Sequence, residues 1–271
     1  MYHFYFHLPK NDLNGGCVYM PHRNSTNLPM MIYCQGFGSS IQPRRVQEKL
    51  RDTAVNKYGM GFVYMDLFGC TSKNPRGWEH PPTGETKDMT YARWKENLAD
   101  MLQWVRAKKF TDKNKIGVYA YSSATTAALR LAAENDPAFV ISTSTCATDH
   151  IGMGNGGPAK ILADNMVKLQ AGETVEFMGI EYGINFFTDA VSNAPVHNLA
   201  EIECPVLFLQ GTSDNPYRRA DAFTAYELLK LFEPETKSKH IEFEGGDHCL
   251  YNIEEQAMSE IFNWLKEINI I

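Results

Sequence analysis

The chain of 271 residues lacks any apolar run near the ~20 residues that cross a bilayer, so no membrane span is expected. It has no CxxC pair and no Cys/His cluster at zinc spacing. Its six cysteines, Cys17, Cys34, Cys70, Cys146, Cys204 and Cys249, stand singly. No metal site of that kind is expected, no cofactor is called for, and the thiols read as free in a reducing, cytoplasmic setting. No clustered basic stripe accompanies the net charge of −6, which argues against nucleic acid as a partner. The first residues, Met1 to Pro9, lack the basic start of a secretory signal and read as a strand. There is no internal repeat and no low-complexity segment.

What is present is ordinary for a globular chain: 44% apolar and 21% charged residues, over a length that buries a full core. Residues 2–8 and 17–20, separated by the turn formers of 11–16, suggest an N-terminal hairpin. Strand-like and helix-like segments then alternate. Apolar runs at 29–34, 61–66, 115–121, 138–143 and 205–210 have the continuous character of strands covered on both faces. Trp94, Leu98, Met101, Leu102 and Val105 form one stripe of a 3.6-residue period, and further helices fit 43–56, 217–232 and the stretch carrying Ile253, Ala257, Ile261, Trp264 and Leu265. This order predicts an α/β fold, a mostly parallel sheet of about eight strands with helices on both faces.

One segment interrupts the alternation. Residues 147–203 are too long for a simple crossover, so residues 1–146 and 204–271 are assigned to the core and 147–203 to a cap or lid insertion after the sixth strand. A helix (159–169), a hairpin near 173–182 and a helix near 185–192 are expected within it. Its Met166, Phe177, Met178, Tyr182, Phe186 and Phe187 suit an apolar substrate pocket or, equally, the packing of the insertion on the core. Gly152 to Gly157 formally matches G-x-G-x-x-G, but it sits late and away from a first βαβ unit, so it is read as the approach to the cap rather than a dinucleotide site.

Ligands of doubly wound sheets sit at the carboxyl ends of strands. At those ends stand Gln35-Gly-Phe-Gly38, Asp66-Leu-Phe-Gly69, Ser122, Gly211-Thr-Ser-Asp214 and Gly245-Gly-Asp-His248. Ser122 falls where a buried strand turns straight into a helix, the setting of a nucleophile elbow. Serine, acid and histidine follow in the order Ser, Asp, His.

On these motifs the sequence resembles the α/β-hydrolase superfamily over essentially its whole length. It is most similar to small carboxylesterases of the cinnamoyl or feruloyl esterase type, with a strand-three motif like Gln35-Gly-Phe-Gly38 and a strand-four loop like Asp66 to Ser72. The resemblance implies a serine hydrolase acting on a small-molecule ester with a small to medium acyl part, and the aromatic residues of the insertion point to aromatic acyl groups. Ser122 is the expected nucleophile, with Ser123 as a rival. His248 is the expected base, and Asp214 the acid that orients it, with Asp221 as fallback. The backbone N–H groups of Phe37 and Ser123 are the expected oxyanion donors, each worth ~2.7–4 kcal/mol in the transition state. Gln35, Tyr121, Trp78, Met153 and Phe186 are candidate substrate contacts. His80, His150 and His197 touch substrate at most, and Asp247 reads as a loop residue.

Four positions depart from the family pattern. Ala120 and Ala124 replace elbow glycines, Gln35 replaces the usual histidine, and Thr125 stands where another glycine is common. An acyltransferase, a thioesterase or a small peptidase would use the same triad, and a non-catalytic binding protein on the same scaffold is the reading from a different class.

Overall fold

A computed structural model describes residues 1–6, 8, 16–36, 45–65, 67–69, 85–148, 157–177 and 179–271. The strands are β1 (Tyr2–Phe6), β2 (Gly16–Met20), β3 (Leu28–Cys34), β4 (Gly61–Met65), β5 (Thr111–Tyr121), β6 (Phe139–Thr143), β7 (Val175–Phe177), β8 (Ile180–Tyr182), β9 (Val206–Gly211) and β10 (Lys239–Phe243). The helices are α1 (Arg45–Asp52), α2 (Tyr91–Arg106), α3 (Ala124–Asn135), α4 (Pro158–Gln170), α5 (Ile184–Ser192), α6 (Pro216–Phe232) and α7 (Glu254–Glu267).

Eight strands form one sheet in the order β1-β2-β4-β3-β5-β6-β9-β10. The first two strands run antiparallel, and from β4 onward every neighbouring pair is parallel. The alternation of strands and helices therefore reports the architecture correctly. The elbow strand is longer than its apolar run suggests, because the polar residues Thr111 to Lys115 extend it toward Leu28.

Alternate residues of each strand feed opposite faces. Met30, Ile32, Val63 and Val118 pack against α2 and α3, whereas Met31, Tyr33, Phe62 and Tyr119 pack against α1 and α7. All five members of the α2 stripe are buried in the first of these layers, and Leu50, Ala54, Ala257, Ile261 and Trp264 in the second. Thr90 caps α2 by accepting from the Arg93 N–H at 3.1 Å.

Residues 147–203 hold α4, the β7–β8 hairpin and α5, the elements expected there. Their aromatics turn inward. Phe186 is fully buried, stacks on Tyr182 at 4.1 Å and meets Tyr91 of α2 at 5.5 Å. Phe186, expected as a candidate substrate contact, is thus enclosed in the packing between this segment and α2. Phe177, Tyr182 and Phe187 share that cluster and are buried with it.

A buried polar knot completes the attachment. Asp189 of α5 accepts from the Arg130 guanidinium of α3 at 3.2 and 3.3 Å, and from the N–H of Ala92 in the first turn of α2 at 2.8 Å. Replacing Asp189 with alanine leaves Arg130 charged and buried without this partner, at a cost of about 3–5 kcal/mol. Thermal unfolding of D189A is expected to shift down on the order of 10 °C. An unchanged Tm would show that the knot does not hold the insertion.

The described cysteines are free thiols. Burial pushes Cys17 and Cys204 each up to about 12, so neither is a ready thiolate. Under native conditions at mild alkaline pH, iodoacetamide is expected to modify the half-exposed Cys249 before either of them, as peptide mass mapping would read. Equal rates at Cys17 would contradict the packing around β2.

Candidate active site

Ser122 sits between the end of β5 and the start of α3 with φ of 55°. A β strand that must become a helix within two residues needs such a left-handed turn, and a non-glycine residue held there carries strain of about 1–3 kcal/mol. Two bonds hold it. The Ser122 N–H donates to the Thr143 carbonyl at 2.9 Å, and the Thr125 hydroxyl donates to the Ser122 carbonyl at 2.6 Å. Thr125 in turn accepts from the Cys146 N–H at 2.8 Å. The threonine standing in place of a common glycine thus clamps the elbow to the segment that follows β6.

The two alanines are accommodated. Ala120 lies in register between Cys34 and Ser142, Ala124 opens α3, and both are fully buried in the core. The tight contact is made instead by Gly36. A Cβ there would lie 2.9 Å from the Ser122 Cβ, 3.0 Å from the Ser123 hydroxyl and 3.0 Å from the Tyr121 carbonyl. The segment after β3 therefore runs directly against the elbow, where a side chain would push it away.

His248 is carried by the loop after β10. Nε2 lies 3.1 Å from the Ser122 hydroxyl, and Nδ1 lies 2.8 Å from Oδ2 of Asp214. With Nδ1 as donor to the carboxylate, Nε2 is left to accept the serine proton. Asp214 follows β9, and its side chain is nearly buried. Burial on its own pushes that carboxyl up, but the hydrogen bond and charge of His248, the Asn215 N–H and the Gln210 amide outweigh it and hold it below the usual carboxylate value. The short connection from Asp214 to α6 does not prevent the acid from reaching the imidazole.

The loops are fastened to each other. Ser213 N–H donates to the Gly246 carbonyl at 3.0 Å, Gly245 N–H donates to the Thr212 hydroxyl at 2.8 Å, and the Ser144 hydroxyl donates to the His248 carbonyl at 2.5 Å. Ser144, fully buried just beyond β6 with φ of 53°, was not singled out by the sequence; nor was Gln210. The available signal was a polar residue closing an otherwise apolar strand.

The other candidates divide. Asp221 lies inside α6 and accepts from the Thr148 N–H and hydroxyl, so it is not the acid facing His248. Asp247 accepts from the N–H groups of Cys249 and Tyr251, each at 2.9 Å, as a loop residue does. Tyr121 places its ring 5.3 Å from that of His248 and its hydroxyl 2.8 Å from the Cys249 sulfur. Gln35 is buried immediately before Gly36. Ser123 precedes the first residue of α3, and the end of that helix carries partial positive charge. Phe37, Asp66, Trp78, His80, His150, Met153 and the glycines of 152–156 lie outside the described residues. Among the described residues no group of three or more His, Cys, Asp or Glu side chains is placed to hold a metal ion, and no helix is long and apolar enough to cross a membrane.

The strand order, the elbow and three polar side chains brought together from separate strand ends define an α/β-hydrolase. Residues 96–252 match the model of the BAAT / acyl-CoA thioester hydrolase C-terminal family, and the chain belongs to that family. Comparison with curated protein sequences gives no significant match. Among solved structures, the chain is similar to Est1E from Butyrivibrio proteoclasticus, with a TM-score of 0.69 at 15% identity over 97% of this chain and 99% of that one. It is also similar to an esterase of Pyrobaculum calidifontis, with a TM-score of 0.68 at 18% identity over 100% and 87% of the two chains. Alpha/beta hydrolase domain-containing protein 10 from mouse gives 0.69 at 14% identity over 98% and 100%. At these identities the likeness is one of fold.

Proposed function

We propose that this protein is a serine hydrolase that cleaves carboxylic esters through an acyl-enzyme. The observation that carries the reading is the continuous chain of Ser122 hydroxyl, His248 and Asp214, at 3.1 and 2.8 Å. A serine hydroxyl is a weak nucleophile until a base takes its proton. As Oγ of Ser122 bonds to the substrate carbonyl carbon, its proton passes to Nε2 of His248, and Asp214 stabilises the imidazolium. The negative charge that forms on the carbonyl oxygen falls to backbone donors, for which Ser123 and Phe37 are the candidates. The C–O bond then breaks as His248 returns the proton to the leaving oxygen. Water attacks the acyl-enzyme with its proton going to His248, and the released acid leaves Ser122 protonated again.

A second reading keeps every step and changes the leaving atom to sulfur. The family match favours it, because the family description names acyl-CoA thioester hydrolases. With the insertion's described aromatics packed inward, the case for aromatic acyl groups loses its main support.

The test is labelling by a fluorophosphonate probe, followed by turnover of nitrophenyl esters, hydroxycinnamate esters and acyl-CoA thioesters. Labelling that is lost in Ser122→Ala is expected, with turnover of at least one ester or thioester class. A wild-type protein that does not label would sink the proposal, as would labelling that survives in Ser122→Ala.

A further inference from the structure

Gln210 is the last residue but one of β9 and is fully buried in a strand whose other members are apolar or glycine. Its Nε2 donates to Oδ2 of Asp214 at 2.8 Å, the same oxygen that accepts from His248 Nδ1. The other carboxylate oxygen accepts from the Asn215 N–H at 2.6 Å. The side-chain oxygen of Gln210, by contrast, is buried and has no hydrogen-bond partner among the described residues. Buried polar atoms are nearly always paired, and an orphaned one needs a reason. Rotating the amide would set that oxygen against the ionised carboxylate, so the amide is fixed in one direction by Asp214 while its acceptor goes unmet. A residue retained only to fill space at this position would be served as well by methionine or leucine.

We infer that Gln210 is a positioning residue for the acid of the triad: its amide locks the Asp214 carboxylate in the rotamer that faces His248 and keeps it ionised there. This rests on the serine hydrolase reading of the site. Among the described residues, the groups acting on Asp214 are His248, the Asn215 N–H and this amide. Gln210 supplies the one side-chain donor besides the histidine. Without it, Oδ2 can take a proton more readily and turn away from the imidazole.

The test follows the rate of fluorophosphonate labelling against pH, in the wild type, Gln210→Met and Gln210→Glu, with thermal unfolding alongside. Gln210→Met keeps length and volume and removes both the donor and the orphaned acceptor. Its Tm is expected to stay at or above the wild-type value, while labelling slows roughly 10-fold, short of the ~10⁴-fold that a defective triad acid costs. The acid limb of its profile is expected to move to higher pH. Gln210→Glu separates positioning from packing, because two carboxyls a hydrogen bond apart share one proton. That variant is expected to label well while the shared proton is held and to lose activity as pH rises, opposite in slope to the wild type.

Wild-type rates and profiles in both variants would overturn the inference. So would a loss in Gln210→Met that matches a loss of folded protein while Gln210→Glu follows the wild-type profile. Failure of the wild type itself to label is a separate result, which refutes the serine hydrolase reading beneath it.

Discussion

Ser122→Ala is expected to lower ester or thioester turnover by about 10⁶-fold while leaving the folded protein intact. When nucleophile, base and acid act as one unit, removing the nucleophile costs nearly as much as removing all three. The residual rate, some 10³–10⁴-fold over water in related chemistry, comes from binding and oxyanion donors that the variant keeps. The backbone bond from residue 122 to the Thr143 carbonyl does not involve the hydroxyl, and the left-handed φ of 55° is already borne by a residue with a Cβ. Tm is therefore expected to stay within a few degrees. Ser123→Ala provides the contrast, since Ser123 is fully buried and the role proposed for it uses a backbone N–H that alanine retains. A stopped assay on a nitrophenyl ester, with active protein counted by mass, distinguishes the two. If Ser123→Ala proved the inactive variant and Ser122→Ala the active one, the elbow would have to be read one residue later.

The sequence made the candidate site legible because Ser122, Asp214 and His248 each stand within five residues of the end of a strand. In a parallel sheet all of those ends lie on one side. Ser122, Asp214 and His248 needed no knowledge of packing beyond that rule. The helices and hairpin of residues 147–203 were legible for a similar reason: a 57-residue gap in a regular alternation must hold elements of its own.

What escaped was held by long-range contacts. The Ser144 hydroxyl bonds to the His248 carbonyl across 104 positions, and the Arg130–Asp189 pair spans 59. No local pattern announces such partners, because a serine or aspartate reads the same whether it meets water or a buried backbone group. Phe186 shows the opposite difficulty. Its exposure depends on how the insertion folds back, so composition could not decide between a pocket and a core. The departures at the elbow fall between these cases. The sequence flags Ala120, Ala124 and Thr125 as unusual, and only the geometry shows the alanines filling the core and the threonine holding the turn.

Gly211→Ala is expected to damage both the fold and the site, in contrast to the adjacent glycine Gly245. A Cβ at Gly211 would stand 2.2 Å from the Gly246 carbonyl oxygen, 2.5 Å from its carbon and 2.6 Å from the Asp247 carbonyl oxygen. All three are backbone atoms of the loop that carries His248, so no side-chain rotation relieves the contact. The two loops are also tied by the Thr212 N–H to the Phe243 carbonyl at 2.9 Å and by the Ser213 N–H to the Gly246 carbonyl at 3.0 Å. Either these bonds break or the loops separate with the acid on one and the histidine on the other. Overpacking of this kind typically costs 1–3 kcal/mol, occasionally more, and contact between rigid backbone segments belongs at the upper end. A displacement of about 1 Å between reacting groups costs about 10²-fold in rate. The expected result is thus a lowered Tm together with a fall in kcat/KM of at least about 10²-fold in the protein that remains folded. Gly245→Ala meets no atom within 4 Å and bears only the strain of its φ of 69°, roughly 1–2 kcal/mol, with the triad undisturbed. Thermal unfolding and active-site titration of both variants would decide the matter. If Gly211→Ala kept full activity per folded molecule, the spacing between the acid and histidine loops would not be what aligns them.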